Sequence, residues 1–202
     1  MALYTESITE NEKISEDFMV TVNGLDLPVH EARVSAVPFN RRWPGHQRSI
    51  DQIESACFAS FSMDSPVEVR IVPKKLFRSV NVKPFSKKIK PVVEGNTVVF
   101  TVAATGGYSV EFDGYHNALH LFADPVKTYN VDMHDDNTYY FGPGVHNVGM
   151  IHLKSGQTVY LDSGAIVHAC IHAEDAENIR ILGHGILDNS KNVEEILFEI
   201  EK

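Results

Sequence analysis

The chain has 202 residues, of which 43% are hydrophobic and 22% charged, enough apolar material for one large core or two small ones, so disorder is excluded as its dominant state. Lys and Arg number 18 against 27 Asp and Glu, a net charge of −9. A negative surface lacks the counterion-release drive for binding a phosphate backbone, and nucleic acid is not an expected partner. Cys57 and Cys170 are too few for a disulfide framework or a four-ligand zinc site, which is compatible with a reducing compartment.

The opening residues, MALYTESITENEKISEDF, carry no basic stretch followed by an apolar one, so a secretory leader is not read there. No later segment approaches the roughly 18 uninterrupted apolar residues of a membrane helix. A cytoplasmic chain, or one whose leader has been removed, is expected, with no membrane partner.

Period-two alternation dominates the first half. Val20 and Val22, then Val67, Val69 and Ile71, then Val98, Phe100 and Val102, then Tyr108, Val110 and Phe112, and finally Leu119 and Leu121 alternate with polar neighbours. Turn signals lie between them at Asn23-Gly24, Asp64-Ser65-Pro66, Glu94-Gly95-Asn96 and Gly106-Gly107. This pattern predicts an antiparallel β-sandwich from about residue 14 to residue 122, within a first domain of residues 1–125.

One loop interrupts that region. FNRRWPGHQRS, residues 39–49, gathers Arg41, Arg42, Trp43, His46, Gln47 and Arg48 around a Pro-Gly turn. A flat apolar ring beside planar hydrogen-bond donors suits stacking on a sugar and bidentate capture of its carboxylate. The six residues are therefore candidates for binding an acidic oligosaccharide or pectin-type glycan. The same composition also fits Trp43 plugging the sandwich end while the arginines pair with surface acids, and on the residues alone that reading comes first.

From residue 139 short apolar runs recur at 139–141, 150–153, 158–161, 165–168, 171–173, 179–182 and 185–187, with separators too short for crossover helices. Brief, Gly-punctuated strands with β-branched residues suit the coils of a parallel β-helix, with a second sandwich as the competing fold. His168, Cys170 and His172 alternate along one run and share a face; imidazole and thiolate are zinc-compatible ligands. A polar outer face is the preferred reading, because a tetrahedral site draws ligands from different segments. Neither metal nor cofactor is assigned. By the same alternation His116 and His120 share a strand face.

GPGVHNVGMIHLKSGQTVYLDSGAIVHACIHAEDAENIRILGHGILDNS, residues 142–190, resembles the opening coils of the right-handed β-helix in family 28 glycoside hydrolases, the polygalacturonase-related enzymes. Residues 39–48, Phe58-Ala59-Ser60-Phe61 and FDGYHNALHLF at 112–122 are similar to the sandwich that precedes that helix in a bacterial subgroup. The resemblance implies an all-β chain: an N-terminal antiparallel sandwich, then about three coils of right-handed parallel β-helix over residues 126–202. It also implies inverting hydrolysis by aspartates in later coils, for which this chain has no matching positions. No catalytic residue is assigned. Gly183-His184-Gly185 has the letters of the family's catalytic motif but sits in an early coil turn, so His184 is read as a turn residue, Asp188 as structural, and Asp135-Asp136 as a solvated loop pair.

An open last coil must be covered. Val193, Ile196, Leu197 and Ile200 at helical spacing, with Asn192 as N-cap, predict a capping helix; alternation of Phe198 and Ile200 with glutamates leaves a strand as the alternative. Either way the chain is expected to associate, most simply as a homodimer. Three functions follow: a hydrolase-derived carbohydrate protein inactive on its own, a non-catalytic binding module, or a structural oligomer.

Overall fold

In the computed structural model, residues 3–5, 14–35, 53–189 and 198–200 are described. The chain is all-β, with a single turn of 3-10 helix at Phe85–Lys87 among the described residues, and no helix there is long and apolar enough to cross a membrane. The described residues divide into two compact units, one up to residue 126 and the other from residue 127 onward.

In the first unit, strands β1 (Leu3–Thr5), β4 (His30–Ser35), β5 (Ile53–Met63), β7 (Val80–Lys83), β10 (Gly106–Phe112) and β11 (Ala118–Pro125) form one sheet, in the order β1-β5-β11-β10-β7 with β4 also on β5. Strands β2 (Phe18–Val22), β3 (Leu25–Leu27), β6 (Val67–Pro73), β8 (Val92–Glu94) and β9 (Thr97–Val102) form a second, in the order β3-β2-β6-β9-β8. The alternation works as the sequence dictates: β6 buries every second residue, and Val69, Ile71, Val98, Val110, Phe112, Leu119 and Leu121 join one core cluster drawn from both sheets. Asn23 and Gly24 both adopt positive φ, as the tight turn between β2 and β3 requires.

The sheets are not wholly antiparallel, contrary to expectation. β11 pairs with β5 in parallel, from Leu119↔Cys57 to Pro125↔Met63. The chain leaves β5, builds β6 to β10 and only then returns, so the hairpin geometry that enforces antiparallel pairing between consecutive strands does not apply.

In the second unit the strands form parallel ladders. β12 (Thr138–Phe141), β14 (Thr158–Leu161) and β16 (Arg180–Gly183) make one; β13 (Gly144–His152), β15 (Ala165–Ala173) and β17 (Ile186–Asp188) make another. Thr138 pairs with Thr158, and Thr158 with Arg180, so the chain returns to the same place after 20 and then 22 residues. Val159, Leu161, Ala165, Val167, Ala169 and Ile171 face a common core. The predicted runs 165–168 and 171–173 are one strand, buried along nearly its whole length.

A capping helix through residue 200 is not what the structure holds: β18 (Phe198–Ile200) is a strand pairing in parallel with β15 at Ile171↔Phe198. This is the alternating option, and it meets the backbone hydrogen-bonding needs of the ladder edge directly. Residues 190–197 of that prediction lie outside the described residues.

Candidate functional site: an aromatic row on the parallel ladder

In-register residues of parallel strands stack on one face about 4.8 Å apart. Val159 and Leu161 of β14 face the core, so Tyr160 between them must face outward. Its register partners are Tyr140 on β12 and Leu182 on β16. The Tyr140 and Tyr160 rings lie 6.0 Å apart at 15°, nearly parallel. Tyr129, from the segment before β12, packs edge-on to Tyr160 at 6.1 Å and against His184 at 5.5 Å. The outcome is a partly exposed row of three tyrosines and an imidazole.

Polar groups fix its edges. The Tyr140 hydroxyl donates to Asp162 Oδ2 at 2.8 Å, and Asp162 Oδ1 accepts from the Ser163 amide at 2.8 Å. His184 Nε2 donates to the Lys127 carbonyl at 3.1 Å, which puts the proton on that nitrogen because a carbonyl only accepts. The Asp162 hydrogen bond, then burial, raises the Tyr140 pKa above the ordinary tyrosine value. For Tyr160, burial comes first and the negative charge of Asp162 second, again upward. Both rings stay neutral, as a stacking surface needs. Asp162 is the one carboxylate bonded into the cluster among the described residues, whereas hydrolysis of a glycosidic bond by the two-carboxylate route needs a pair.

The Gly183-His184-Gly185 turn is explained by close packing. A Cβ on Gly183 would fall 1.8 Å from the Leu161 carbonyl oxygen, and one on Gly185 2.8 Å from the Ala165 oxygen. The His184 and Gly185 amides both donate to Leu161 O, at 2.9 and 3.1 Å. His184 sits at this turn, as expected, and its ring adds to the aromatic row.

Arg41, Arg42, Trp43, His46, Gln47 and Arg48 lie outside the described residues. His168 and Cys170 do share a face of β15, but that face is buried, at 5% and 0% exposure, and is not the polar exterior expected. Each is bound differently: His168 Nδ1 is 3.3 Å from Asp188 Oδ2, Cys170 donates to Asn189 Oδ1 at 2.7 Å, and the His172 ring packs edge-on against His152 at 5.3 Å. Among the described residues no three His, Cys, Asp or Glu side chains gather as metal ligands would. Asp188 thus has a structural contact, and Asp135 caps its own turn by accepting from the Asn137 amide at 2.9 Å. His116 and His120 do not share a strand face: His116 is in the turn before β11, bonded to Glu54 at 2.9 Å, while His120 is within β11.

Sequence reasoning missed the tyrosine row. Its signal was present as Tyr140 and Tyr160 at the ladder's 20-residue repeat, visible only once that repeat length is known.

No family model matches the chain, and no curated protein does. Seven solved chains match in structure. Among them is Dex49A from Penicillium minioluteum, a dextranase, at 22% identity and a TM-score of 0.69. The match covers 92% of this chain and 48% of Dex49A, so the chain spans about half the length of that protein. The likeness shows a shared parallel β-helix fold and does not single out family 28.

Proposed function

We propose that this chain is a carbohydrate-binding protein of the glycoside hydrolase type: a sandwich domain, residues 1–125, followed by about three right-handed β-helix coils, residues 126–202. It holds a glycan on the tyrosine row and does not hydrolyse it on its own. The observation that carries the reading is the likeness of 92% of the chain to about half of a glycoside hydrolase. The tyrosine row supports it, because a sugar presents a flat C–H face to neutral aromatic rings while Asp162 accepts from its hydroxyls. A pectin-type parent and a homodimer belong to the same proposal; light scattering on purified protein at micromolar concentration gives twice the chain mass if the dimer forms and the chain mass if it does not.

Calorimetric titration with isomaltotriose and with trigalacturonate tests the function. At least one binds, and Tyr160→Ala weakens it by about tenfold, since stacking on an aromatic platform contributes roughly 1–3 kcal/mol by analogy with base stacking. No reducing sugar is released on prolonged incubation. Absence of binding by both sugars, indifference of the affinity to Tyr160→Ala, or release of reducing ends overturns the proposal.

A further inference from the structure

The outer face of the six-stranded sheet carries a second arrangement that the tyrosine row does not use. Register places Lys83 of β7 beside Ser109 of β10, and Ser109 beside His120 of β11. Two residues along, Gly107 pairs with Phe122. Together with Phe85, just beyond β7, these residues line an open groove of about 510 Å³. Phe85 and Phe122, 66% and 46% exposed, both present their rings to this groove. Gly107 leaves the floor bare: a Cβ there would touch only the Phe122 ring, at 4.0 Å.

The polar side of the groove is ordered. Ser109 Oγ and His120 Nδ1 are 2.8 Å apart, leaving Nε2 for a ligand. Lys83 is held by Glu111 at 2.9 Å. Lys87 reaches no carboxylate among the described residues; it donates to the Thr105 carbonyl at 3.0 Å and lies 5.0 Å over the Tyr108 ring, which also lines the groove. Lys83, Lys87, Lys88 and Lys90 fall within eight residues containing no acid, in a chain whose net charge is −9. Of these, Lys83 lines the groove and Lys87 stands beside it over Tyr108; a cation there with no carboxylate partner among the described residues selects an anion by charge.

We propose that this groove binds an anionic sugar residue, carboxylated or sulfated. Its ring lies against Phe85 and Phe122 over Gly107, its anion meets Lys87, and its hydroxyls meet His120 and Ser109. The sugar class rests on the function proposed above; the anionic preference rests on the groove itself. The site is distinct from the tyrosine row, being built wholly from the first unit.

The test follows backbone amide NMR signals during titration with trigalacturonate, galactose 6-sulfate and neutral isomaltotriose. Binding of either anionic sugar shifts the Gly107, Ser109 and His120 signals, and isomaltotriose leaves them in place. Lys87→Gln weakens that binding by about tenfold, the usual worth of a charge-assisted contact, and Gly107→Val, which fills the floor without backbone strain, weakens it by excluding the ring. Tyr160→Ala leaves it unchanged, so loss of the tyrosine-row site and loss of this one are read separately. A response to galacturonate alone or to sulfate alone identifies the anion. Equal response to the neutral sugar, or affinity unaffected by Gly107→Val, overturns the proposal.

Discussion

Replacing Gly183 with alanine tests the stacking of β16 on β14 with a single methyl group. Gly183 pairs with Leu161 in the parallel register and has φ of +124°. The added Cβ would lie 1.8 Å from the Leu161 oxygen and 2.6 Å from its carbonyl carbon. Both are backbone atoms, so no rotamer change relieves the overlap and the strands must separate. Separation weakens the hydrogen bonds that Leu161 O accepts from His184 and Gly185, at about 1 kcal/mol each. Forcing an alanine into this region of φ adds about 1–3 kcal/mol. A total near 4 kcal/mol is a large part of a typical domain stability of about 5–15 kcal/mol. At a slope of about 2 kcal/mol per molar urea, the unfolding midpoint falls by about 2 M. The amide signals of Val159 and Val167, both fully buried in this unit, report the transition in a urea titration followed by NMR. Gly156→Ala is the control: φ is +79° but nothing lies within 4 Å of its Cβ, so only the conformational cost of about 1–2 kcal/mol is expected. A Gly183→Ala protein as stable as Gly156→Ala would refute the stacked-ladder geometry.

Two further predictions concern pH. The Tyr140 pKa is raised, so Asp162 favours the folded state while tyrosine is protonated; that contribution is complete below the unfolded tyrosine value of about 10 and is lost as pH climbs through the higher folded value. In ultraviolet difference spectra Asp162→Asn shifts the ionisation of Tyr140, and that of Tyr160 through the lost charge, to lower pH, and an unmoved titration contradicts the hydrogen bond. Asp113, at positive φ in the turn before β11, has its pKa lowered by the Arg78 and Ser79 amides. Its contribution is present above the unfolded value of about 3.9 and disappears as pH falls through the lower folded value. Asp113→Asn therefore loses stability relative to the parent chain at pH 7, and the two converge in acid; a constant difference across that range counts against it.

What could be read in the sequence followed from which faces are buried. β2, β6, β9, β10 and β11 each bury one face and alternate, so their apolar positions announced them. β15 buries both faces, and without alternation it read as two runs, with His168 and Cys170 placed outside by residue type alone. A parallel strand enclosed on both sides loses the period that sequence reading depends on. The tyrosine row and the basic groove depend on register between strands 20 or more residues apart in the first case, and on antiparallel pairing of three strands in the second. Neither is encoded in any local pattern. Gly183 and Gly185 were legible as a turn, but the reason only glycine fits there is the carbonyl oxygens of the preceding coil.

The central claim, that a sugar lies against the outward tyrosines of the parallel ladder, is tested most directly by intermolecular nuclear Overhauser effects with isomaltotriose or trigalacturonate bound. Contacts between sugar ring protons and the ring protons of Tyr140 and Tyr160 are the predicted result. A bound sugar whose contacts all fall on other residues would contradict it.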